Sequence, residues 1–186
     1  MSLDEAVEAI RARQVIGLPT DTVYGIGADP VSEEAVGRLY ELKGRPENKP
    51  VGLLVASIEQ AASIGRIEGA GALLASSHWP GALTLVVTPK VILADWVGDA
   101  QRRTVGLRVP DHSVTIELLE AVGPLAVTSA NLSGMPESMT DAEARAIFGD
   151  RVQFYVGGRA PGGRASTVVD LTGSEPVVLR QGPVAI

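Results

Sequence analysis

Apolar residues recur at helical spacing from the start of the chain, where Leu3, Ala6, Val7 and Ile10 follow a Ser2-x-x-Glu5 capping box. The run Val15 to Leu18 reads as a strand and opens into Pro19 to Gly25 (PTDTVYG). If that segment stays extended, Thr20, Thr22 and Tyr24 share one face. Ser32 predicts the cap of a second helix, whose stripe of Val36, Leu39 and Tyr40 leads into a basic stretch, Lys43 to Pro50. A buried strand is predicted at 51–55, and helices at about 58–64 and 69–78, ending at Trp79-Pro80-Gly81. Strands follow at 82–88 and 104–109, a helix at about 113–122, and a strand from Leu125 to Ser129. The loop Asn131 to Thr140 precedes a helix, Asp141 to Phe148, and a strand, Val152 to Val156. Gly157 to Arg164 reads as a mobile glycine-rich loop, and two β runs, Ser166 to Leu171 and Pro176 to Arg180, close the chain. Helical and extended periods alternate without repeats or a linker-like break. The pattern predicts a single α/β domain over 1–186, a twisted open sheet flanked by helices, and the final β–β pair makes that sheet mixed.

Composition narrows the class. At 186 residues with 45% hydrophobic residues, the chain can bury a full core without covalent staples. It has no cysteine, so disulfides, thiolate nucleophiles and Cys-based zinc sites are excluded. The net charge of −6 argues against a general polyanion-binding surface, so any nucleotide contact must come from local cations. The acidic, helix-like N-terminus is unlike a signal peptide and no apolar run approaches membrane-spanning length, so a cytoplasmic, membrane-free protein is expected.

Lysines are scarce: there are only Lys43, Lys49 and Lys90, and two of them flank Arg45 within eight residues. Gly44, Pro46 and Pro50 predict that these cations project from a constrained loop, suited to phosphates or carboxylates. An exposed turn would account for the loop taken alone. Thr104 and Arg108, four apart in a strand, face the same way about 13 Å apart, with Val105, Leu107 and Val109 on the core side. Thr22, Ser129, Asn131 and Ser166 stand at or near strand ends, where α/β folds collect ligands. Turn chemistry explains any one of them but not the set. Other motifs fail. Gly158 to Ala165 has P-loop glycine spacing but Arg164 and Ala165 where Lys and Ser/Thr are needed, and it opens no helix. Gly25-x-Gly27-x-x-Pro30 is not a dinucleotide fingerprint. His78 and His112, the only histidines, are not at metal-ligand spacing, and no Gly-x-Ser-x-Gly elbow occurs.

Seven segments, in order and at matching spacing, resemble the YrdC-type threonylcarbamoyl-AMP synthase family in its short, single-domain form. They are Pro19–Gly25, Lys43–Pro46, Trp79–Thr84, Val105–Pro110, Ser129–Gly134, Ser166–Asp170 and Leu179–Pro183. The resemblance implies a YrdC-like fold and a nucleotidyltransferase that joins L-threonine, bicarbonate and ATP into threonylcarbamoyl-AMP and pyrophosphate. Its product feeds N6-threonylcarbamoyladenosine formation in tRNA. By position, Thr22, Arg108 and Ser166, with the Val127 backbone beside them, match the family's threonine contacts. Arg45, Thr104, Ser129 and Arg180 match its ATP contacts. Lys43 and Arg45 are the expected catalytic pair, Lys49 is assigned to ATP, and Mg²⁺ is expected on the phosphates. The implied partner is downstream threonylcarbamoyl-transfer machinery, and direct tRNA contact is left open. This chain departs from the common pattern at Lys49, often Asn, and at Leu54, often a threonine-contacting His. The loop after Gly134 is one residue longer, so the nucleotide-contacting serine corresponds to Ser138 or gives way to Glu137. Physically, a carbamate oxygen would attack the α-phosphorus, with the protein positioning reactants and stabilising charge; no general base is evident. The alternative is a non-catalytic module of the same fold that binds structured RNA, against which stand the acidic balance and an aromatic content of 4%.

Overall fold

The computed structural model describes residues 3–44 and 50–186. Alternation along the strands decides the layering. In β1 (Ile16–Leu18), Ile16 and Leu18 face one way, toward α1 (Leu3–Arg11) and α5 (Ser113–Val122). In β3 (Gly52–Leu54) and β6 (Leu125–Ser129), Leu54 and Leu125 join that face, while Leu53 and Ala126 turn to the opposite core. The second core is closed by α2 (Glu33–Lys43), α3 (Ile58–Ile64), α4 (Ala70–His78) and α6 (Asp141–Phe148), which contribute Val36, Leu39, Ala61, Ala75 and Phe148. The remaining strands are β2 (Gly25–Ala28), β4 (Leu83–Val87), β5 (Val105–Arg108), β7 (Phe154–Tyr155), β8 (Thr167–Asp170) and β9 (Val177–Arg180).

Among the described residues the strands form one mixed sheet in the order β7-β1-β2-β6-β3-β5-β4-β8-β9. The pairs β1–β7, β3–β5 and β4–β8 are parallel and the other five antiparallel. This is the α/β single-domain, mixed open sheet expected. The α3, α5 and α6 spans and β6 match the ranges read from the sequence. Ser32 caps α2 by accepting a hydrogen bond from the Ala35 amide at 3.2 Å. Among the described residues no helix is long and apolar enough to cross a membrane.

Three local expectations change. Thr20 to Tyr24 is a bend rather than an extended run, and the strand begins only at Gly25. Thr20 and Thr22 remain together, their hydroxyls 2.9 Å apart, but Tyr24 turns into the core and donates to the Val156 carbonyl at 2.6 Å. Second, Lys43 is the last residue of α2, with Gly44 left-handed at its C-cap, so its side chain leaves a helix end and not a loop. Third, the 157–164 segment is pinned at several points. The Ala160 amide donates to Met139, the Gly163 amide to Thr22, and Ala160 is fully buried. At Gly162 a Cβ would stand 2.3 Å from the Asp21 carbonyl, so only glycine allows this approach. No lid is required to explain that loop's composition.

The buried Tyr24 phenol is held above its ordinary pKa, first by desolvation and then by Asp141. Its value to the fold is the bond to Val156, which β7's exit would otherwise leave unsatisfied. Tyr24→Phe is expected to lower unfolding free energy by about 1–3 kcal/mol in a denaturant titration, the cost of an orphaned buried acceptor. No change would mean that the carbonyl finds another donor.

Candidate active site

The helices α1 and α5 cover only part of their face of the sheet. Beyond them the same face continues over β3, β5, β4 and β8 and forms the floor of a cleft of about 580 Å³. Strand alternation puts Gly52, Gly106, Thr84, Val86 and Val168 on that floor, because their neighbours Leu53, Leu107, Leu85 and Val169 are committed to the core. The floor is flat in its middle. A Cβ on Gly52 would meet the Gly106 carbonyl at 3.0 Å, and the glycine pair lets a ligand approach the backbone itself.

At one side of the cleft Arg108 is buried, 7% exposed, at the end of β5. Each nitrogen of its guanidinium is engaged. Nε donates to the Gly81 carbonyl at 3.0 Å, Nη1 to Thr22 Oγ1 at 2.8 Å and Nη2 to Asp21 Oδ1 at 2.5 Å. Burial lowers the Arg108 pKa from its ordinary value, and the Asp21 carboxylate opposes that effect. Arginine side chains stay charged in proteins. Gly81 reaches it because Trp79 anchors the preceding turn, its indole N–H donating to the Leu83 carbonyl at 2.7 Å. Beside this cluster Ser166 is buried, its hydroxyl 2.8 Å from Thr84 Oγ1. Arg180 donates to the Ser166 carbonyl from Nε at 2.9 Å and to its hydroxyl from Nη2 at 3.2 Å.

A second cluster lies at the end of β6. The Lys43 ammonium is buried and donates to the Ser129 carbonyl at 2.8 Å, to Asn131 Oδ1 at 2.6 Å and to Ser129 Oγ at 3.2 Å. Asn131 is itself fixed, its amide nitrogen donating to the Met135 and Leu132 carbonyls. The Ser133 amide donates to the Lys43 carbonyl, tying the loop after β6 to the end of α2. Thr104, joined by backbone bonds to Asp99, lines the cleft between these clusters and its outer rim. On that rim Arg102 pairs with Asp170 at 2.7 Å.

The cleft therefore gathers Thr22, Lys43, Thr104, Arg108, Val127, Ser129, Ser166 and Arg180 from the residues read in the sequence. Arg45 and Lys49 lie outside the described residues. Ser138 is not brought to the cleft: it is buried, and its hydroxyl donates to the Ala130 carbonyl at 2.5 Å. Its backbone carbonyl accepts the Tyr24 amide, so it braces the loop that carries Asn131. Glu137, the alternative, is exposed and also not among the lining residues. Leu54 lines the cleft and packs under α1 and α5, giving the cleft an apolar wall there. Sequence reasoning missed Asp21, Thr84 and Ser133. Asp21 had one available signal: it is the sole ionic side chain between Gln14 and Ala28, in a segment of otherwise apolar and hydroxyl residues.

Fold and site together define a class: an α/β domain with an open cleft on one face of the sheet that holds a caged guanidinium and a caged ammonium. A family model named for Sua5, YciO and YrdC, described as telomere recombination, matches residues 8–182. The chain belongs to the Sua5/YciO/YrdC family. A Mycobacterium tuberculosis protein provisionally named threonylcarbamoyl-AMP synthase is 48% identical over 183 residues, covering 97% of this chain and 83% of that one. The threonylcarbamoyl-AMP synthase of Pseudomonas putida is 39% identical, covering 94% and 95%. The crystal structure of Pyrococcus abyssi Sua5 complexed with L-threonine superposes with a TM-score of 0.90 at 36% identity, covering 97% of this chain and 54% of that longer protein.

Proposed function

We infer that the protein is an L-threonylcarbamoyl-AMP synthase, a nucleotidyltransferase that consumes L-threonine, bicarbonate and ATP. The observation that carries this reading is the pairing of two buried cations in one cleft, Arg108 caged by Thr22 and Asp21, and Lys43 caged by Ser129 and Asn131. Two substrates that each carry an anionic group need two such seats, held apart so that their reacting atoms meet between them.

In this reading Arg108 takes the threonine carboxylate through charge-assisted hydrogen bonds, and Thr22 and Ser166 read the neighbouring polar groups beside the Val127 backbone. The threonine amine condenses with bicarbonate to a carbamate, releasing water. A carbamate oxygen then bonds to the α-phosphorus of ATP as the bond to the bridging oxygen of pyrophosphate breaks. Lys43, with Arg45 and Lys49, offsets the charge growing on pyrophosphate, while Thr104, Ser129 and Arg180 hold the nucleotide. Ser138 is left out of this set because its hydroxyl is committed to Ala130. Among the described residues no cluster of His, Asp or Glu could hold a metal ion, so Mg²⁺ is expected to arrive on the phosphate oxygens of ATP. The adenylate would pass to tRNA-modifying machinery.

The test is pyrophosphate release with ATP, Mg²⁺, bicarbonate and each amino acid in turn, with the product identified by mass. Release that requires both threonine and bicarbonate is the expected result. Release indifferent to both would sink the synthase reading, and salt-dependent tRNA binding without nucleotide turnover would favour the RNA-binding alternative.

A further inference from the structure

We propose that Asp21 is a positioning residue for the threonine site: it sets the orientation of the Arg108 guanidinium and thereby the affinity for the substrate carboxylate. This rests on the reading of Arg108 as the carboxylate seat.

The geometry is specific. Among the described residues Asp21 is the only anion paired with Arg108, and both side chains are nearly enclosed, at 14% and 8% exposure. The same Oδ1 that accepts from Arg108 Nη2 also accepts from the Asp111 backbone amide at 3.0 Å. Asp111 belongs to the turn between β5 and α5, so the carboxylate is bracketed between that turn and the guanidinium. Thr22 and Gly81 supply neutral acceptors to Nη1 and Nε. The three described partners use one N–H from each nitrogen, which leaves a second N–H on Nη1 and on Nη2 for an incoming carboxylate.

Without Asp21 the neutral partners would still hold Nε and Nη1, but Nη2 would lose its anchor and the buried charge its compensation. An acidic group this close to an anion-binding cation would otherwise be a liability, because it weakens attraction for the substrate carboxylate. Its bond to Asp111 explains why it can be kept: the carboxylate is held to one side of the guanidinium and does not occupy the substrate's place.

The experiment compares wild type, Asp21→Asn, Asp21→Glu, Arg108→Ala and the Asp21→Asn/Arg108→Ala double variant, following pyrophosphate release against threonine and against ATP, with a thermal melt of each. The expected result is a rise of about tenfold in the threonine KM of Asp21→Asn, with the ATP KM and kcat changed less than about twofold. Asp21→Glu, which keeps the charge, should recover part of the loss. In the Arg108→Ala background Asp21→Asn should add little, since the two act as one unit.

A threonine KM that falls in Asp21→Asn would mean the carboxylate blocks the site, and overturns the proposal. Threonine and ATP constants that rise together, or full additivity in the double variant, would make Asp21 a merely structural residue. If Asp21→Asn fails to fold, the proposal is judged on Asp21→Glu by the same split in constants. Wild type that ignores threonine altogether overturns the synthase reading and this proposal with it, whereas a threonine-dependent wild type with an unmoved Asp21→Asn overturns this proposal alone.

Discussion

Arg108→Ala is expected to raise the threonine KM by roughly 30-fold or more, the equivalent of the ~2–5 kcal/mol that truncating one member of a buried charge pair costs. The ATP KM should move by less than about threefold, because in the proposed division of roles Arg108 seats threonine only. Two effects combine in the loss. Among the described residues the buried cations are Lys43 and Arg108, and only Arg108 bonds to Thr22; the Asp21 carboxylate, 14% exposed, is left without its counter-charge. The second effect also threatens the fold, so a thermal melt accompanies the kinetics. Arg108→Lys separates the two, since it keeps a positive charge for Asp21 but cannot reach Gly81, Thr22 and Asp21 at once as the planar fork does. Its threonine KM should rise while its melting temperature stays near that of wild type. Equal increases for threonine and ATP would refute the assignment of Arg108 to threonine.

Lys43→Ala is expected to lower kcat by about 10²–10³, the range found when a preorganised electrostatic donor is removed from a reaction that develops charge. The threonine KM should be little affected. In the structure the ammonium already donates to Ser129 and Asn131, and its bond to Ser129 Oγ, at 3.2 Å, is longer than those to the Ser129 carbonyl and to Asn131 Oδ1. That is the bond a phosphate oxygen would most readily replace. Lys43→Met fills similar volume without charge and controls for lost packing at the end of α2. Single-turnover pyrophosphate release reads the chemical step directly. If Lys43→Met melts lower but turns over at the wild-type rate, Lys43 braces the β6 loop and does not act on the reaction.

How much of this was legible beforehand varies by element. The helices Ser113–Val122 and Asp141–Phe148 were readable because their apolar period and their boundaries are local properties of the chain. The strand Gly25–Ala28 was not, since Gly-Ile-Gly-Ala offers one β-branched residue between two glycines, too little to mark a strand locally. It is a strand because β1 and β6 flank it on both sides and pair with it in register. On sequence Lys43 reads as a cation on a constrained loop, because Gly44 and the two prolines all read as helix breakers. The glycine instead serves as the left-handed cap that ends the helix directly after the lysine. The longer loop after Gly134 leaves Ser138 and Glu137 as alternatives on sequence, and only packing shows the Ser138 hydroxyl turned to Ala130.

By itself the sequence determined the α/β class, the mixed sheet, the positions of most helices, and which motifs carry the polar residues of the cleft. Those follow from periodicity, capping and the order of short segments, all written locally along the chain. Only the tertiary structure decided how the clusters are composed. Asp21 meets Arg108 across 87 positions, and Lys43 meets Asn131 across 88. Such contacts depend on strand order and register, on which face of the sheet the helices leave open, and on the desolvation that makes an unpaired charge untenable. A linear pattern marks the residues able to bear charge in a core. The fold selects the partner that lets each of them do so.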